Sequence, residues 1–147
     1  MEDIRAHLCA CDDRFQPRLS ARVDIAAYAA KIRERALTFE AWGDQRLIAL
    51  VAAYVDTPAR TAYITNVSVL SGHERKGLAT QVLGRTMDHL EREGVRSVTL
   101  EVAATSPTTF RLYEKFGFAV VENRGEICLM RATLPGRIAN EPQGTAP

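Results

Sequence analysis

ITNVSVLSGHERKGLATQVLGRTMDHLEREG, residues Ile64 to Gly94, decides how the rest of the chain is read. Ile64 to Leu70 is rich in β-branched residues, as expected of a strand in the middle of a sheet. Gly72 interrupts it, Arg75 and Lys76 add two positive charges, and Gly77 opens a helix. From there Leu78, Val82, Leu83, Met87 and Leu90 share one helical face. Gly94 stands where a left-handed residue would end that helix. A strand running through a glycine turn into a helix N-terminus suits an anion, because main-chain N–H groups are unpaired there and the macrodipole is positive. No Gly-Lys-Ser/Thr follows at Walker spacing, so the turn is not a P-loop.

Toward the N-terminus the residue period is two. Arg60 to Leu70 reads as one strand, Asp56 to Ala59 as a turn containing Pro58, and Arg46 to Val55 as the strand before it. Gly43-Asp44-Gln45 turns the chain back to Leu37–Trp42, which predicts three strands in an antiparallel meander. Ahead of them the period is helical. Ser20 is expected to cap a helix reaching about Ala36, and Asp3 an earlier one reaching about Asp13. His7, Cys9 and Cys11 could be read as metal ligands. Positions two apart on a helix point about 200° apart, however, and no fourth ligand follows, so no metal is expected.

Toward the C-terminus, Arg96 to Ala103 alternates, with Val98, Leu100 and Val102 on one side and Thr99 and Glu101 on the other. Ile64 to Ala103 is therefore expected to form a right-handed parallel crossover. Ser106-Pro107 marks a helix start, Ser as N-cap and Pro at the first helical position. Gly117 ends that helix, and Phe118–Asn123 with Glu126–Thr133 predict a hairpin over Arg124-Gly125. Residues 1–134 are read as a single domain and 135–147 as a frayed tail.

Composition narrows the function classes. The 147 residues are 46% hydrophobic and 25% charged, ordinary for a globular domain. Nineteen basic against 18 acidic residues give a net charge of +1, without the basic excess of a nucleic-acid surface. No apolar run reaches membrane-spanning length, and Met1-Glu2-Asp3 lacks a signal peptide's basic start. Cys9, Cys11 and Cys128 form no disulfide framework, so a cytoplasmic protein is expected, with neither nucleic acid nor membrane as partner.

Two motifs in the chain resemble the GCN5-related N-acetyltransferase (GNAT) family. Its pyrophosphate loop reads Arg/Gln-x-x-Gly-x-Gly/Ala, and this chain has Glu74-Arg75-Lys76-Gly77-Leu78-Ala79, with Glu74 in the first place. Its later motif reads Asn-x-x-Ala-x-x-Leu-Tyr-x-Lys-x-Gly-Phe. Here Leu112, Tyr113, Lys115, Gly117 and Phe118 are kept, while Ser106 and Thr109 replace Asn and Ala. The resemblance covers Ile64 to Phe118 and implies an α/β, or mixed α+β, fold of about six or seven mostly antiparallel strands and about four helices. A central parallel pair of strands would splay near Val67 to admit acyl-CoA.

The resemblance also implies roles. The co-substrate would be acetyl-CoA, with the pyrophosphate at Arg75, Lys76, Gly77, Leu78, Ala79 and Thr80. The pantetheine and the oxyanion would lie on the main chain of Val67, Ser68 and Val69, with Ser106 near the pantetheine. Glu101, twelve residues before the tyrosine, would be the base and Tyr113 the acid. The reaction would be direct attack by an amine, with a small-molecule acceptor expected and a homodimer compatible with the reading. Trp42, Tyr54, Asp56, Tyr63 and Asn66 are candidates for the acceptor cleft, and nothing in them selects one amine. The competing reading is a non-catalytic acyl-CoA-binding or sensing module on the same fold.

Overall fold

Four helices and six strands follow one another in the computed structural model, which describes residues 2–15, 18–74 and 76–135. In chain order they are α1 (Glu2–Ala10), α2 (Ile25–Arg35), β1 (Leu37–Gly43), β2 (Arg46–Asp56), β3 (Thr61–Val69), α3 (Leu78–Arg92), β4 (Ser97–Ala103), α4 (Pro107–Glu114), β5 (Ala119–Asn123) and β6 (Ile127–Thr133). The strands form a six-stranded mixed sheet in the order β1-β2-β3-β4-β6-β5. The crossover from β3 through α3 to β4 is parallel, as its sequence pattern requires. Its register runs from Thr61↔Ser97 to Ile64↔Leu100. Two compact units are distinguished: Met1–Tyr54 with Thr65–Thr86, and Val55–Ile64 with Met87–Pro147. Apart from Pro135, the expected tail lies outside the described residues. No helix among the described residues is long and apolar enough to cross a membrane.

The first unit is held by Ile4 and Leu8 of α1, Leu19 ahead of α2, Ala29 and Ile32 of α2, and Leu47, Leu50 and Ala52 of β2. Leu8, Ile32 and Leu50 are wholly buried, and burying such a side chain contributes about 1.5–3 kcal/mol. The cap of α2 differs from expectation. Asp24, not Ser20, accepts from the Ala27 amide at 3.2 Å. Ser20 instead donates its hydroxyl to Asp12 Oδ2 at 2.7 Å and its amide to Oδ1 at 2.7 Å. The longer helix expected from Ser20 is therefore a short 3-10 turn, Leu19–Ala21, followed by α2. Helix α1 also stops earlier than expected, and a 3-10 turn at Asp12–Arg14 follows it. Between β1 and β2 the turn is only Asp44-Gln45, both at positive φ (51° and 64°), and Gly43 pairs with Arg46. Positive φ at both central residues is what a tight hairpin needs to match strand twist.

The second unit packs apolar pairs across β4 and β6: Val98 opposite Ala132, Leu100 opposite Met130, and Val102 opposite Cys128. All six are buried. β6 therefore lies between β4 and β5, and β5 is left at the edge with all five of its residues exposed. Gly94 has φ 89°, and Val95 N donates to Leu90 O at 3.0 Å, closing the C-terminus of α3 as a left-handed cap should.

Candidate active site

In the first unit, the turn before α3 has the features of an anion cradle. Gly77 lies at φ 76°, a conformation glycine adopts without the cost a side chain brings. Gln81 N donates to Gly77 O at 2.9 Å, the first intrahelical bond recorded there. The amides of Leu78, Ala79 and Thr80 have no acceptor among the described residues, and the first turn of α3 carries no acidic side chain. Lys76 is exposed beside them. Arg75 lies outside the described residues. Glu74, the departure from the family loop, is engaged on both oxygens: its Oε1 accepts from Gly72 N at 2.8 Å and its Oε2 pairs with Arg14 at 2.7 Å. The carboxylate thus closes the turn and ties it to the N-terminal segment.

The end of β3 alternates as a strand should. Asn66 and Ser68 are buried, and Val67 and Val69 are half-buried on the other side. Ser68 Oγ lies 2.7 Å from Asn66 Oδ1 and 2.9 Å from His7 Nε2, while His7 Nδ1 lies 2.9 Å from Leu47 O. Tyr28 Oη donates to Thr65 O at 2.7 Å and lies 2.7 Å from Thr65 Oγ1. Val67, Ser68 and Val69 stand beyond Ile64, the last β3 residue in register with β4. Among the candidate acceptor residues, Asn66 belongs to the buried network, and Trp42 sits exposed on β1 with its indole donating to Glu40 at 3.0 Å. Asp56 accepts from Ala59 N at 3.2 Å and closes the turn after β2.

In the second unit, Glu101 of β4 projects on the polar side of its strand. Its Oε2 accepts from Arg124 Nη1 at 2.9 Å, and its side chain is 34% exposed. Arg124 also pairs with Glu122 at 3.1 Å, so the hairpin turn delivers a guanidinium shared between two carboxylates. Tyr113 of α4 is 6% exposed, with its ring edge-on to Phe118 at 5.8 Å and 63°. Burial pushes its phenol well above the ordinary tyrosine value. Its hydroxyl makes no hydrogen bond with another described residue. Ser106 stands at the N-cap of α4, yet its side chain accepts no main-chain bond. Its Oγ lies 2.6 Å from Thr109 Oγ1 instead. The two departures from the family's helix motif thus occur together as a hydrogen-bonded pair.

Arg124 and His7 were not among the residues singled out by sequence for catalysis or binding, and both touch residues that were. Arg124 carried a faint signal, a cation in the tip of a hairpin returning to β4. His7 reads locally only as a metal-ligand candidate, because the partners it takes lie 40 and 61 residues away.

The model of the acetyltransferase (GNAT) family matches residues 1–118. The [ribosomal protein bS18]-alanine N-acetyltransferase of Escherichia coli strain K12 is 31% identical over 91 residues, a match covering 62% of this chain and 60% of that one. The crystal structure of the ribosomal-protein-S18-alanine N-acetyltransferase from Escherichia coli superposes with a TM-score of 0.70 at 25% identity, over 86% of this chain and 87% of that chain. The PaiA N-acetyltransferase of Thermoplasma acidophilum, solved in complex with coenzyme A, gives 0.70 at 15% identity, over 90% and 93% of the two chains. At that identity the likeness concerns the fold alone.

Proposed function

The chain belongs to the GNAT acetyltransferase family, and on that premise we propose that it transfers acetyl from acetyl-CoA to a primary amine by direct attack in a ternary complex. The observation that carries this reading is the start of α3, where Gly77 at φ 76° precedes three amides with no described acceptor and no acidic neighbour in the first turn. A pyrophosphate placed there would accept from the amides of Leu78, Ala79 and Thr80 and from Gly77, with the charge of Lys76 beside it and Arg75 next in sequence. The main chain of Val67, Ser68 and Val69 would hold the pantetheine and support the oxyanion, with Ser106 near the pantetheine arm.

Glu101 is assigned the base and Tyr113 the donor to the leaving sulfur. The amine nitrogen gives a proton to Glu101, directly or through water, and attacks the thioester carbonyl as the free base; the second proton that nitrogen carries in the tetrahedral intermediate leaves to solvent by the same route. The carbon–sulfur bond breaks as charge builds on sulfur, where the Tyr113 hydroxyl donates. A phenol raised by burial gives its proton only uphill to a thiolate whose thiol lies near the cysteine reference of about 8.5. The larger part of its contribution is therefore the hydrogen bond, with net protonation completed from solvent.

The base's task depends on the acceptor. A lysine-like amine, with a reference pKa of about 10.4, is almost wholly protonated at neutral pH, whereas a chain-terminal α-amine near 7.7–8.0 is not. Since one relative is named for the alanine of a ribosomal protein, peptides beginning with alanine belong in the acceptor panel beside small amines. CoA release with acetyl-CoA as donor is the assay, and turnover on any amine separates an enzyme from a binding module. Binding is tested by thermal shift, since acetyl-CoA at 100 times Kd should stabilise the fold by about 2.7 kcal/mol. Gly77→Asp adds a negative charge and a side chain at a left-handed residue, and should abolish most of that shift. Equal shifts in the two proteins would remove the loop assignment.

A further inference from the structure

His7 is 3% exposed on α1, and both of its ring nitrogens are engaged within the first unit. Leu47 O can only accept, so Nδ1, at 2.9 Å, carries a hydrogen and donates. In the neutral ring Nε2 must then accept; the donors in reach are Ser68 Oγ at 2.9 Å and, at the longer 3.7 Å, the Cys11 thiol, and at its shorter distance Ser68 must turn its hydrogen to the ring. Ser68 has one hydrogen. With that hydrogen on His7, Ser68 can only accept from the Asn66 side chain, whose amide nitrogen must face it. In the imidazolium every bond of the Nε2 side reverses: Nε2–H donates to Ser68 Oγ, and Ser68 donates to Asn66 Oδ1. The structure has Oδ1 facing Ser68 at 2.7 Å, which satisfies the chain for a protonated Nε2. Turning the Asn66 amide over satisfies it for a bare one.

The His7–Ser68–Asn66 chain therefore has two polarities, exchanged by one proton and one amide rotation. The surroundings set the balance. Burial pushes the ring toward neutral, opposed by the bonds to Leu47 and Ser68; Arg46 favours the neutral ring and Glu40 the charged one. Cys11 Sγ lies 3.7 Å from Nε2, and its thiol is pushed up to about 11 by burial, so it adds no charge at neutral pH. Asn66 and Ser68 bracket Val67 on β3.

We infer that His7 is a positioning residue: through Ser68 and Asn66 it sets the backbone of Val67–Val69, and the neutral polarity of the chain is the one that binds acyl-CoA. This rests on the assignment of those three residues to the co-substrate. Burial holds the ring's folded pKa below the ordinary value of 6.5, so the neutral polarity prevails above pH 6.5 and is lost as pH falls through the folded value.

Calorimetric titration of the full chain with acetyl-CoA, from pH 8 to pH 5, tests it with wild type, His7→Asn and Ser68→Ala. In His7→Asn the introduced amide nitrogen takes the place of Nδ1 and keeps the bond to Leu47 O, while the bond to Ser68 is lost. We expect both variants to bind about 10-fold more weakly at pH 7.5, a difference of about 1.4 kcal/mol. Wild type should lose that advantage as pH falls, converging on His7→Asn. The readout is the difference between the proteins, because the ligand's own phosphates titrate near pH 6. Affinities equal across all three proteins at every pH, with only melting temperatures altered, would overturn the inference and leave His7 a core pin. Wild type that binds no acetyl-CoA would overturn this inference together with the acyl-CoA reading. Should His7→Asn fail to fold, Ser68→Ala and the wild-type pH series carry the same two outcomes.

Discussion

Glu101 on β4 is 34% exposed and accepts from Arg124, whereas Tyr113 on α4 is 6% exposed, has its ring against Phe118 and keeps its hydroxyl free of any described partner. The two lie twelve residues apart in one unit and are given opposite environments. A carboxylate at the surface, steadied by a cation, can accept a proton and pass it to water. A phenol raised by burial keeps its proton through the whole physiological range and is available as a donor. Under the proposed roles, such a difference in surroundings would let one site run both halves of an acyl transfer at a single pH.

The comparison breaks first at Glu101. Glu101→Gln keeps the size and removes the proposed base, and kcat/KM should fall by roughly 10²–10⁴. The deficit should narrow at high pH, where free amine becomes abundant, while acetyl-CoA affinity stays unchanged. A variant turning over normally at neutral pH would return Glu101 to an ordinary strand carboxylate.

Tyr113→Phe should have the next largest effect. The ring and its contact with Phe118 remain, so stability should change by no more than about 0.5–1.5 kcal/mol. If the hydroxyl donates to sulfur, kcat should drop roughly 10²-fold, and a donor with a more acidic thiol should recover part of the rate. Because burial raises the phenol above its reference value of about 10, Tyr113 should impose no fall in rate as pH climbs through 10. A descending limb near that pH, absent in the Phe variant, would place the phenol in a wetter site than its burial indicates.

Arg124→Gln is the smallest and the most discriminating change. The pair is exposed, so little stability is at stake. If Arg124 orients Glu101, kcat/KM should fall by about 10-fold in the wild-type background and not at all on top of Glu101→Gln. Independent, multiplying losses would show that Arg124 acts apart from Glu101.

Much of this molecule is readable locally because its signals are local. The helix α3 and its glycine boundaries, the two-residue alternation of β4, and the Ser-Pro start of α4 depend on neighbours within a turn or a strand. Local signals misled where two residues offered the same chemistry. Ser20 and Asp24 are both good caps, and the choice of Asp24 left Ser20 to bind Asp12. Ser106 looked like a cap and found Thr109 instead.

Sequence alone settled the parallel crossover around α3, since β-branched Ile64–Leu70, the glycine turn and the apolar stripe on Leu78–Leu90 allow few other arrangements. It could not order the last hairpin. Both strands carry apolar residues, and β6 took the place beside β4 because Cys128, Met130 and Ala132 present one buried face, leaving Val120 and Val121 of β5 exposed at the edge. Nor could it pair His7 with Leu47 and Ser68, or Glu101 with Arg124 across 23 residues. Those contacts join side chains that no local period relates, and only the closing of the sheet and the docking of α1 bring them within hydrogen-bonding distance.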